Sequence, residues 1–243
     1  MDTLIDYLVE ARSAHLRNDW RASYTAFVGA DGLGPMSTDD LEAYSAASWR
    51  AGHGSEATRL AERAFDRLVR TDQAAAAMKA AVLALQWHAR RHDSVSRVWA
   101  DRARGLLAGS PSGGTHGYLA YLDATTALEA GDTATAVRVS AVLRDAASTT
   151  GDATLAVLAR VVDGMTALME SRVAEAFRLL DETLVPVLDE RLSLEWAADV
   201  YRLVLRGDSR VDVAHRRAWV ESMRRWVTVT GVAMDEAAYG SAL

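Results

Sequence analysis

The stretch Asn18-Asp19-Trp20-Arg21-Ala22-Ser23 couples a tight turn to a small residue five positions later, and the same signature returns four more times. It reads Gly52-His53-Gly54 then Ala57, Arg91-His92-Asp93 then Ser96, Gly131-Asp132-Thr133 then Ala136, and Ser171-Arg172-Val173 then Ala176. The first turn residues fall at 18, 52, 91, 131 and 171, at intervals of 34, 39, 40 and 40. A fixed period of this size marks a stacked-repeat protein. Around the turns, nearly every segment carries helical periodicity, and Ala, Leu, Arg and Glu are good helix formers. The spacing predicts helix pairs over 3–17 with 19–30, 38–51 with 54–69, 72–90 with 93–108, 115–130 with 133–149 and 152–170 with 172–189. A degenerate sixth pair covers about 191–230.

The small residues have a steric reason. Two antiparallel helices joined by a short turn approach closely, and only Ala, Ser or Gly lets the backbones come within packing distance. Seven positions further, Ala30, Ala64 and Ala103 repeat the demand, whereas Leu143 and Thr183 relax it. The first helices answer with Ala11, Ser45, Ala124 and Gly164 near their ends. The expected fold is therefore all-α: a helical-hairpin solenoid of five clear pairs and a degenerate sixth. One body over 1–230 and a small, acidic tail over 231–243 are expected. Gly32-Leu33-Gly34-Pro35 closes the first pair, Gly109 to Gly114 breaks the chain after the third, and Pro186 falls late in a helix.

Composition narrows the function. With 27 basic against 33 acidic residues, the chain carries a net charge of -6 and no basic patch dense enough to neutralise a row of phosphates. Direct nucleic-acid binding is not expected. The absence of cysteine excludes disulfides, thiolate metal sites and cysteine nucleophiles. The opening Met1-Asp2-Thr3-Leu4-Ile5-Asp6 has no basic n-region or apolar h-region, and no apolar run approaches a membrane span, so a cytoplasmic address is expected.

The pattern resembles the tetratricopeptide repeat, which places small residues at these crossings, an aromatic in the second helix and a proline at the close. Trp20, Ser23, Phe27, Ala30 and Pro35 fit it in order. More narrowly, Asp19 to Phe27, Gly34-Pro35 and Asp40-Leu41-Glu42-Ala43 are similar to the opening of the repeat region of actinobacterial LuxR-family regulators. So are His116-Gly117-Tyr118-Leu119, Gly131-Asp132, Arg172 to Ala176, and Leu179-Leu180-Asp181-Glu182. In large members of that family the repeats lie between an ATPase and a DNA-binding helix-turn-helix. This chain contains no GxxxxGK[ST] motif, Lys79 being its one lysine, and no basic recognition helix, which argues against transcriptional activity of its own.

Chemistry-bearing constellations are sparse. His88 and His92, four apart, are half a metal site without a third ligand, and Ala89 stands where a zinc protease needs glutamate. Gly109 to Gly117 lacks the strand and lysine of a phosphate loop. Asp39-Asp40 reads as helix-start charge. No catalytic residue, cofactor or metal site is expected. Of seven tryptophans, Trp20, Trp99, Trp219 and Trp226 fall on second helices and read as core. The resemblance implies that the first helices line a concave groove, and its register selects Arg12, His15, Glu42, Trp49, Arg50, His88, Tyr118, Tyr121, Thr125 and Glu129. This aromatic and mixed-charge lining suits a protein or peptide partner. The expected function is a non-enzymatic regulatory adaptor. Alternatives are a small-molecule sensor lined by Leu158, Val161, Met165 and Met169, and a self-assembling scaffold that pairs copies of the chain.

Overall fold

A computed structural model describes residues 3–108, 113–188, 192, 194–205 and 211–231. Among these residues there are twelve helices and no strand. They are α1 (Leu4–Leu16), α2 (Trp20–Asp31), α3 (Thr38–Arg50), α4 (Gly54–Thr71), α5 (Gln73–Ala89), α6 (Asp93–Leu106), α7 (Gly114–Ala130), α8 (Thr133–Thr150), α9 (Ala153–Met169), α10 (Val173–Leu188), α11 (Leu194–Leu205) and α12 (Val213–Thr230). The closest packing joins α1 to α2, α3 to α4, α5 to α6, α7 to α8 and α9 to α10. The expected all-α helical repeat is thus present, with helix ends within a few residues of those read from the periodicity. α10 runs through Pro186 to Leu188. The tail beyond Gly231 and residues 109–112 of the glycine-rich break lie outside the described residues.

Each repeat turn is built in one way. The first turn residue adopts a left-handed backbone at Asn18, Gly52, Arg91, Gly131 and Ser171, with φ between 59° and 89°. The following amide then reaches back to the helix: Asp19, His53, His92, Asp132 and Arg172 donate to the carbonyls of Ala14, Ser48, Trp87, Ala127 and Ala167 at 2.8–3.0 Å. This bond satisfies a carbonyl that the helix end would leave orphaned. Asp19 and Asp132 also cap the next helix, accepting from the amides of Ala22 and Thr135. The turn therefore ends one helix and starts its antiparallel partner within three residues. Gly131 has open space around it, so its glycine answers the backbone angle alone.

Contacts divide the chain into two compact units, Met1–Leu107 with Val227–Met234, and Ala108–Trp226 with Asp235–Leu243. In the first, Phe27 stacks on Tyr44 at 5.3 Å within a core of Ala11, Ala26, Ala30, Met36, Leu41, Leu60 and Ala64. The alanines let helices approach, and the larger side chains fill the space between pairs. In the second, α7 packs on α8 and α9, and α11 also packs against α9. Ala136, Ala176, Leu143 and Thr183 are fully buried here, and Ala57, Ala64 and Ala103 in the first unit. The tryptophans read as core are buried: Trp20, Trp99, Trp219 and Trp226.

Candidate functional site

The first-helix register divides between the two units, and each unit treats it differently. In the second unit, Tyr118 is buried with its ring 4.6 Å from Trp196 of α11, and its hydroxyl donates to Asp152 at 2.9 Å. Asp152 is already placed by capping α9 through the amides of Thr154 and Leu155. Tyr121 is 0% exposed and its hydroxyl donates to Asp199 of α11 at 2.7 Å. Arg202 Nε donates to the other Asp199 oxygen at 2.6 Å, and its Nη1 donates to Glu129 at 2.8 Å. Burial and then the Asp199 charge push the Tyr121 hydroxyl well above its ordinary value. Burial opposes the Arg202 charge, but Asp199 and Glu129 outweigh it and raise that pKa.

These contacts correct the expected groove. Tyr118, Tyr121 and Thr125 offer no free surface, because they are buried and α11 lies against the two tyrosines; the Glu129 carboxylate is taken by Arg202. In the lining of the alternative sensor reading, Leu158 and Val161 are fully buried, with Met165 and Met169 partly so. α11 is itself buried at every residue from Trp196 to Leu205. A helix buried on all sides is a core element. Its buried charges follow the same logic, since Asp199 and Arg202 stand three apart and neutralise each other. The signal was present in the sequence as an apolar run interrupted by one acid and one base on the same helix face.

In the first unit the register stays open at its start. Ile5 and Leu16 on α1 are 71% and 85% exposed. They lie 113 residues before Tyr118 and Glu129, the offset that separates Asn18 from Gly131. The register implied by the repeat resemblance selects only Arg12 and His15 on this helix. Arg12 is exposed but bound: its Nε and Nη2 donate to Asp40 at 2.8 Å each, and Ser37 donates to Asp40 at 2.6 Å. The Arg12 guanidinium, with Ser37 adding to it, holds the buried Asp40 carboxyl below the usual carboxylate range. Asp40 is therefore an interhelical clasp as well as a helix-start charge. Glu42 pairs with Lys79 at 2.7 Å.

Trp49 is half-buried, and its neighbour Arg50 and His15 gather on Trp20. Arg50 lies over the Trp20 ring at 4.4 Å, and His15 meets that ring edge-on at 5.3 Å. The Trp20 indole N–H donates to the Thr230 carbonyl at 2.7 Å. Burial, then the Arg50 charge, lowers the His15 pKa, which keeps the imidazole neutral at neutral pH. His88 is a further correction: it is 3% exposed and bonded to Asp93 at 3.3 Å, so it lines no open groove. His92 is exposed and packs edge-on against Trp87. Among the described residues no three His, Asp or Glu side chains converge on a metal position. No helix among them is long and apolar enough to cross a membrane. No protein-family model, curated protein or solved structure matches the chain.

Proposed function

We propose that the chain is a non-enzymatic interaction module that binds an apolar-faced helix of a protein partner on α1 and α3. One comparison carries this reading. The register position that α11 helps to bury at Tyr118 in the second unit stands open at Ile5 in the first, and α1 also exposes Leu16 while Trp49 of α3 is half-buried. The fold thus contains its own example of what such a face receives: a helix that lays an aromatic and aliphatic side against it. A partly exposed tryptophan and exposed aliphatics are residue types that binding anchors use. The paired charges Arg12–Asp40 and Glu42–Lys79 frame that surface and fix its polar rim.

A regulatory role follows from the resemblance to LuxR-family repeat regions and remains part of the proposal. Catalysis is not, because the buried titratable groups of the second unit, Tyr121, Asp199 and Arg202, are engaged with one another and with Glu129. Ile5→Asp with Leu16→Asp places two charges on the open face without touching the core. Quantitative capture by the wild-type chain and by this variant tests the reading: the partner should be lost from the variant while its melting temperature holds. A partner retained equally by both chains would refute it.

A further inference from the structure

The second-helix side of the first unit carries an open groove of about 610 Å³ between α4 and α6. Its α4 wall presents Glu62 and Asp66, one turn apart on one helix face. Its α6 side presents Val95, Val98, Trp99 and Arg102. Val98 is 51% exposed, a branched apolar side chain left facing water. Trp99 forms the closed floor, held edge-on by Phe65 at 4.9 Å.

The repeat makes the charge pattern here unusual. Arg63 of α4 and Arg102 of α6 are 39 residues apart, the offset between Gly52 and Arg91. Arg63 reaches to the preceding second helix and holds Asp31 of α2 through two bonds of 3.0 Å. Arg102 instead lies over the Trp99 ring at 4.4 Å. Glu62 and Asp66 consequently line the groove without an ion pair to a described residue, while Arg102 on the α6 side is held over Trp99. Like charges one turn apart repel and cost a few tenths of a kcal/mol on an exposed helix. A cation placed between them removes that repulsion.

We infer that this groove docks a cationic, apolar-edged protein segment. An arginine or lysine of the segment sits between Glu62 and Asp66, and a neighbouring aliphatic side chain covers Val95 and Val98. The charge selects the class of occupant: a phosphate backbone or an anionic lipid surface would meet the carboxylates with the wrong sign. The groove lies on second helices, apart from the α1 and α3 face, so the two sites can fail independently.

The test uses a fluorescein-labelled, alanine-based helical peptide with two arginines one turn apart and leucines on the adjacent face. Its counterpart carries glutamate in place of arginine. Fluorescence anisotropy should detect the arginine peptide and not the glutamate one. Glu62→Gln with Asp66→Asn should weaken binding at least tenfold, as should Val98→Arg, which adds a second cation to the groove beside Arg102. Glu10→Gln with Asp39→Asn, which removes the same charge elsewhere on this unit, should leave binding unchanged. Equal affinity for the groove and control variants would overturn the inference, as would failure of the arginine peptide to bind.

Discussion

Ser96 Oγ donates to the Ala84 carbonyl at 2.8 Å, across a spacing of 12 residues. Ser23 bonds to Ala11 at 3.0 Å and Ser45 to Ala57 at 2.7 Å across the same spacing. Ala124 and Ala136 stand at that spacing in the fourth pair, and Gly164 and Ala176 in the fifth. A Cβ added at Gly164 would come within 2.8 Å of Leu180. The small residue at each crossing thus serves two purposes. It lets the helices approach, and as serine it ties one helix to the other's backbone. Ser96→Ala should therefore cost about 1 kcal/mol, the net worth of one hydrogen bond. Ala57→Leu should cost about 1–3 kcal/mol by overpacking. The same leucine at exposed Ala130 should cost less than either, and urea denaturation of the three variants checks the order.

The left-handed turn residues make a prediction of opposite sign at two equivalent positions. Gly131→Ala forces a Cβ into a backbone conformation that costs L-residues about 1–2 kcal/mol, and should destabilise by that order. Arg91 already bears such a cost at φ 65°, so Arg91→Gly should be neutral or mildly stabilising. Thermal unfolding of both variants reads the difference.

Periodicity revealed the turns because each is local: the left-handed residue, the reaching amide and the small crossing residue lie within a few positions of one another. It located Ser23, Ala57, Ser96, Ala136 and Ala176 for the same reason. It could not reveal the Tyr121–Asp199 bond, whose partners are 78 residues apart. A helical register tells which residues share a face and is silent on what covers it. Hence the repeat resemblance implies one face for Tyr118, Tyr121 and His88 with Arg12 and Trp49, yet it does not imply their burial. Ala84, the acceptor for Ser96, was missed because an alanine among Ala80, Ala81 and Ala84 carries no distinguishing pattern.

The second unit should depend on its buried polar bridge. Asp199→Asn leaves Arg202 with Glu129 as its remaining anion and should destabilise by about 3–5 kcal/mol, the range for breaking a buried pair. Tyr121→Phe removes one donor and should cost about 1–3 kcal/mol by leaving the Asp199 oxygen short of a partner. Near-ultraviolet circular dichroism of Trp196 against Tyr118 follows the loss of packing in each variant.

Acid should weaken the first unit in two steps. The His15 pKa is lowered by folding, so the unfolded chain binds the proton more readily; stability present above about 6.5, the ordinary histidine value, declines as pH falls toward the folded value. Asp40 is lowered as well, and its contribution is present above about 3.9 and lost as pH falls through its lower folded value. His15→Phe should flatten the first step and Asp40→Asn the second in urea midpoints measured from pH 8 to pH 3.

The most direct test of the interaction reading compares proteins captured from the native cell by three chains: the wild type, Ile5→Asp with Leu16→Asp and Trp49→Ala, and Tyr121→Phe. The account predicts a partner held in stoichiometric amount by the wild type and by Tyr121→Phe, and absent from the triple variant although that chain remains folded by circular dichroism. Retention of the same partner by the folded triple variant would contradict it.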